Sequence, residues 1–146
     1  MIIKEFDLLD GISDDIVEEL VTTMETLSYS EGDMVFEEGD PADSFYILES
    51  GAADLCMGGC DRTVSIRLKP GDAFGWSSLV ERETYASSVV CDRPCRLYKI
   101  NKNNIDRVLR QYPATGMLFY KRLAGLVGGR VISCHRELFK MQAKKR

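Results

Sequence analysis

The chain has 146 residues, 45% of them hydrophobic and 29% charged, with a formal net charge of −4. This is the size and balance of one soluble globular domain with a core of its own, and the acidic excess disfavours a general nucleic-acid surface. The N-terminal stretch MIIKEFDLLDGISDD lacks the apolar segment of a secretory signal. No other run is long enough to cross a bilayer, so a cytoplasmic chain with no membrane partner is expected. Five cysteines, an odd number without an export signal, read as reduced thiols.

In chain order, Ser13 is placed to cap a helix. Asp14 and Asp15 would sit at its positive end, Ile12 would staple to Val17, and Ile16, Leu20 and Met24 would share one face. That helix is expected to end before Ser28. From 27 to 100 the pattern changes to short strands separated by turns. Met34–Phe36 precedes the turn Glu38-Gly39-Asp40-Pro41, and strands follow at Phe45–Glu49 and Ala52–Met57 around Gly51. Val64, Ile66 and Leu68 alternate with polar residues. Ser87–Cys91 and Arg96–Ile100 are expected to pair around Asp92-Arg93-Pro94. Many short strands at this spacing predict a mainly β jelly roll (a double-stranded β-helix) with flanking helices.

Asn101 is placed to cap a helix over Lys102–Gln111, with Ile105, Val108 and Leu109 inward, the segment 101–112. Pro113 starts a longer helix over 113–141. On it Tyr120, Ala124, Val127, Val131, Cys134, Leu138 and Met141 alternate spacings of four and three, the pattern of a seam between two helices. A homodimer through this seam is expected, beside the plainer reading of a helix packed on its own roll. Gly125, Gly128 and Gly129 soften the helix or let a partner approach closely.

The organising stretch is Lys69–Val90. A turn at Pro70-Gly71-Asp72 leads to a short strand, Ala73-Phe74, and then to Gly75. One helical turn is predicted from Trp76, followed by a charged loop and a strand from Ala86. A glycine ahead of free N–H groups makes an anion cradle. With Glu31-Gly32-Asp33, with Ala42-Asp43-Ser44-Phe45-Tyr46-Ile47-Leu48-Glu49-Ser50-Gly51, and with Ala86-Ser87-x-Val89 leading to Leu97-Tyr98-x-Ile100, this segment resembles the cyclic-nucleotide-binding domain of the catabolite-activator family. The resemblance runs over nearly the whole chain. It implies an N-terminal helix, a β-roll over 27–100, two C-terminal helices and a regulatory role in signal transduction. By the same resemblance, a nucleotide or cyclic-nucleotide-like ligand would lie against Phe74, Gly75, Trp76, Ser77, Ser78, Leu79, Arg82, Tyr85, Ala86 and Ser87.

Two positions depart from the family. The residue after the cassette glycine, a glutamate that takes the ribose hydroxyl in the family, is Trp76. The arginine that pairs with the cyclic phosphate, nine positions further on, is replaced by Tyr85. Indole accepts no hydrogen bond, and a phenol offers at most one neutral contact where a guanidinium offers a charged fork. Losing both contacts weakens cyclic-nucleotide binding by roughly 3–6 kcal/mol. Altered or lost specificity is therefore expected, with Trp76 and Tyr85 either plugging the pocket or stacking on a flat ligand.

Other chemistry is sparse. The single histidine, His135, excludes a multi-histidine metal site within one chain, and no nucleophile or acid–base set marks an enzyme. Cys56 and Cys60 flank Gly58-Gly59, and Cys91 and Cys95 flank Asp92-Arg93-Pro94. The two pairs read as small hydrophobes at strand ends or, alternatively, as a thiol or metal sensor. A ligand-free dimerisation or scaffold module is a further alternative. The helix-turn-helix domain of the family's transcription factors has no counterpart after the long helix, so no DNA partner is expected.

Overall fold

The computed structural model describes residues 7–58, 65–80 and 82–144. Of the positions named above, Gly59, Cys60 and Val64 lie outside them. A 3-10 turn at Asp7–Leu9 leads into α1 (Asp14–Thr22). Eight strands follow: β1 (Glu25–Tyr29), β2 (Met34–Phe36), β3 (Ser44–Ser50), β4 (Ala53–Cys56), β5 (Ser65–Leu68), β6 (Ala73–Phe74), β7 (Ser88–Cys91) and β8 (Cys95–Asn101). A 3-10 turn, Trp76–Leu79, sits between β6 and β7, and α2 (Lys102–Gln111) and α3 (Pro113–Lys144) complete the described chain. The strands form two four-stranded antiparallel sheets, ordered β1-β8-β3-β6 and β2-β7-β4-β5.

The sheets close on a core between them, and the helices cover the first sheet from outside. Period-two alternation builds both layers from the same strands. Along β3, Phe45 and Ile47 join the helix-side core, while Tyr46 and Leu48 fill the space between sheets. On β8, Ile100 belongs to the first core and Leu97 and Cys95 to the second. This is why β3 is buried on both faces.

The predicted helix end is corrected. α1 stops at Thr22, and Glu25–Tyr29 is a strand. Leu20, Met24 and Leu27 continue a helical spacing, but Leu27 pairs with Leu97 and Glu25 with Lys99 across β1 and β8. Tertiary pairing outweighs the local pattern here. Ser13 occupies the N-cap, yet its side chain makes no capping hydrogen bond. Asn101 does cap α2, its Oδ1 accepting from the Asn103 N–H at 2.8 Å. Ile105, Val108 and Leu109 are buried as the spacing requires.

A second correction concerns β7 and β8, which do not form a hairpin. β7 pairs with β4 and β2, and β8 with β1 and β3. The Asp92-Arg93-Pro94 segment carries the chain from one sheet to the other, as a roll demands of strands adjacent in sequence but not in a sheet. Asp92 N–H donates to Ala52 O at 2.9 Å and holds this crossing.

The buried anchors of α3 lie in its first half. Gly116, Phe119 and Leu123 are its buried residues, and Gly116 lets it lie against Leu109, where a Cβ would stand 3.1 Å from the Leu109 carbonyl oxygen. Of the seam positions, Val127 is half-buried, while Tyr120, Ala124, Val131, Cys134, Leu138 and Met141 are exposed. Nothing lies within 4 Å of a Cβ built on Gly125, Gly128 or Gly129. His135 is exposed.

Candidate ligand-binding site

β6 ends in Gly75, whose φ of 76° and ψ of 20° are left-handed. A Cβ there would stand 3.0 Å from the Tyr46 ring and 3.1 Å from the Ser44 carbonyl oxygen, so glycine is required by both backbone and space. The turn after it is tied back by Ser78, whose N–H and hydroxyl both donate to Gly75 O, at 3.2 and 2.8 Å. Ser77 and Ser78 are buried. Trp76 is half-buried and packs on the helix-side core, as Leu79 does.

Tyr85 fills the place where the resemblance puts an arginine. Its ring stacks on Phe36 at 3.8 Å between centroids, 14° from parallel. Its hydroxyl donates to Ser44 O at 2.6 Å and accepts from Ser44 N–H at 3.1 Å. Its own N–H and carbonyl bond to Asp40 O and Gly39 N–H. The one proton the phenol can donate is thus committed to backbone, and little is left for a ligand.

Beside this turn lies a cavity of about 200 Å³. Gly75, Trp76, Ser77, Tyr85, Ala86 and Ser87 form the cassette side. Phe36, Leu55, Met57 and Ile66 form an apolar wall from the sheets. Phe74, Ser78, Leu79 and Arg82 are not among the lining residues; Ser78 and Leu79 instead face a separate surface hollow beside Lys102 and Tyr120, and Arg82 is exposed.

The residue that sequence reasoning missed is Arg130. It reaches the cavity from α3, and its Nη2 donates to Ala73 O at 3.1 Å. Burial lowers the pKa of its guanidinium, partly offset by the charge of Asp72 and by Cys134. The signal was present in the spacing: Phe119, Leu123 and Arg130 share the face of α3 turned to the roll.

The described cysteines do not gather into one cluster. Cys91 and Cys95 are free and buried at the crossing between sheets, and the Cys95 thiol donates to Ala52 O at 3.2 Å. Cys56 is disulfide-bonded, which corrects the expectation that all five thiols are reduced. Cys134 is free and exposed. No group of three or more His, Cys, Asp or Glu among the described residues is placed to hold a metal ion. No described helix is long and apolar enough to cross a membrane.

Burial first, then the hydrogen bond with Cys95, pushes the Cys91 thiol up from 9.0 to about 12, so it stays in its unreactive form. Burial likewise pushes the Tyr85 hydroxyl up from 10.0 to about 12. In the unfolded chain both groups release protons near their ordinary values; in the folded chain they keep them. The stability they contribute is complete below pH ~9 and is lost as pH rises toward ~12. Denaturation midpoints should therefore fall between pH ~9 and ~11. A midpoint that stays level across that window contradicts the assignment.

Two four-stranded antiparallel sheets carrying a glycine-led turn against a small cavity define a jelly roll with a pocket at that turn. Residues 26–112 match the family described as the cyclic nucleotide-binding domain, and the chain belongs to that family. Over 107 residues it is 30% identical to the cAMP-dependent protein kinase regulatory subunit of Emericella nidulans, covering 73% of this chain and 26% of that protein. Over 130 residues it is 29% identical to Glutaminase 1 of Bradyrhizobium diazoefficiens, covering 89% of this chain and 21% of that protein. The chain thus spans about a quarter of the length of the curated relatives it matches. Among solved structures, it resembles the Thermus thermophilus Catabolite Activator Protein with a TM-score of 0.74 at 22% identity, over 93% of this chain and 63% of that one. The sensor domain of the transcriptional regulator DNR from Pseudomonas aeruginosa gives a TM-score of 0.74 at 17% identity, over 89% of each chain.

Proposed function

We propose that the chain is a regulatory domain whose cassette pocket no longer takes a cyclic nucleotide and instead senses another ligand, read out through α3. The observation that carries this is the Tyr85 hydroxyl bonded on both sides to Ser44, in the place of the family's phosphate-pairing arginine. Trp76, in the place of the ribose-binding carboxylate, adds to it. The kinase regulatory subunit's name refers to cAMP, but a 30% identity does not bring the ligand contacts with it when these two side chains differ.

The readout follows from how α3 is held. Its buried anchors lie in its first half, and Arg130 touches the cavity further along. A ligand that moves Arg130 shifts the population of α3 positions, which a partner protein reads. The exposed line from Tyr120 through Val131 to Leu138 supports a second copy of the chain as one such partner. Sedimentation should then show a dimer that Leu138→Asp converts to monomer. A monomer at high concentration without the substitution would remove the seam.

The ligand reading is tested by thermal shift with cyclic AMP and cyclic GMP. No shift is expected. A ligand at a hundred times its Kd adds about 2.7 kcal/mol, a rise of roughly 5–10 °C at this size, and such a rise with either nucleotide would refute the proposal.

A further inference from the structure

We propose that the cavity beside the cassette takes a small planar monoanion, one aromatic ring bearing a carboxylate, with Arg130 as its charge partner. The inference rests on the reading of this cavity as a ligand site and goes on to name the ligand's chemistry.

Three observations converge. The first is an unmatched charge. A guanidinium carries five N–H donors, yet among the described residues Arg130 has one hydrogen-bond acceptor, the neutral carbonyl of Ala73. None of their ion pairs includes it. Asp72 acts on it through its charge without pairing with it. A partly buried cation against an apolar wall is unfavourable until an anion meets it. Arg130 is also the one cation among the described lining residues, and Asp72 already offsets part of its charge, so the site favours one negative charge over two.

The second is shape and polarity. Phe36, Tyr85 and Trp76 supply aromatic surface, and Leu55 and Ile66 an aliphatic wall. Such a surface suits a flat ring better than a ribose edged with hydroxyls. The third is size. The cavity measures about 200 Å³. A cavity of ~150 Å³ accepts benzene, so this one accepts a ring with a few further atoms and not a purine, a sugar and a phosphate together. Occupancy would draw Arg130 from Ala73 O toward the ligand and so tie α3 to the pocket.

Trp76 is the chain's single tryptophan and lines the cavity, so its fluorescence reports occupancy directly. The test titrates benzoate and 4-methylbenzoate against their uncharged carboxamides, in the unaltered chain and in Arg130→Gln. At least one carboxylate should change Trp76 emission saturably and bind at least tenfold more tightly than its amide, a difference of about 1.4 kcal/mol. Arg130→Gln should bring the carboxylate to the level of the amide and leave the amide unchanged. Circular dichroism and thermal melting establish that the variant is folded. Equal binding of acid and amide, an acid preference that survives Arg130→Gln, or no carboxylate binding up to millimolar concentration each overturns the proposal. A Trp76 response to micromolar cyclic AMP instead overturns the pocket reading beneath it.

Discussion

Phe119→Ala should lower the stability of the chain by about 3–5 kcal/mol, a drop of roughly 6–20 °C in the thermal midpoint. Phe119 is fully buried and is the largest side chain that α3 inserts into the helix-side core. It meets Phe45 of β3 edge-on, centroids 6.3 Å apart at 73°. Its neighbours on the same face are Gly116, which has no side chain to offer, and Leu123. Truncation leaves a cavity that rigid β3 cannot collapse into. For a domain whose whole stability is about 5–15 kcal/mol, that loss is large. It also bears on function. If α3 is docked through Phe119, the variant should lose protection from hydrogen exchange along α3 ahead of the sheets. A destabilisation below about 1 kcal/mol would mean that α3 is held elsewhere, and the readout through this helix would lose its basis.

Gly51→Ala should be comparably damaging for a different reason, and Gly39→Ala supplies its control. The two glycines have almost the same backbone, with φ of 95° at Gly51 and 93° at Gly39. At Gly39 a Cβ meets nothing within 4 Å. At Gly51 it would collide with Pro94 O and stand 2.9 Å from the Cα and Sγ of Cys95, at the place where the chain passes between sheets. Gly39→Ala therefore carries only the left-handed strain, about 1–2 kcal/mol. Gly51→Ala adds displacement of a backbone carbonyl, for about 2–6 kcal/mol in total. Urea unfolding of both variants separates the two contributions. Equal losses would show that the crossing yields freely and that Pro94 and Cys95 do not fix it.

How much of this was legible depends on how local each feature is. Asn101 and the triad Ile105, Val108 and Leu109 define α2 within a dozen residues, and the structure follows them. Gly75 and the turn from Trp76 likewise follow from neighbours in sequence. β1 was not legible, because Leu20, Met24 and Leu27 keep a helical rhythm that only the distant β8 overrides. The crossing at Asp92-Arg93-Pro94 has the composition of a hairpin turn. Its true role depends on β4 and β3, which take β7 and β8 into different sheets. In the pocket, the replacement of a charged pair by Trp76 and Tyr85 was readable from order alone. That the Tyr85 hydroxyl bonds to Ser44 was not, since 41 residues separate them. Arg130 lies further still from the cassette. Its spacing from Phe119 marks the face it shares, but nothing local says that this face passes a cavity.

The most direct test of the central claim is a crystal structure of the chain grown in excess cyclic AMP. The expected result is an undisturbed cassette, with the Tyr85 hydroxyl still bonded to Ser44, its ring on Phe36, and no nucleotide in the cavity. A cyclic AMP molecule with its phosphate over Gly75 and Tyr85 swung out of its stack would contradict the account and return the pocket to the family's inherited ligand.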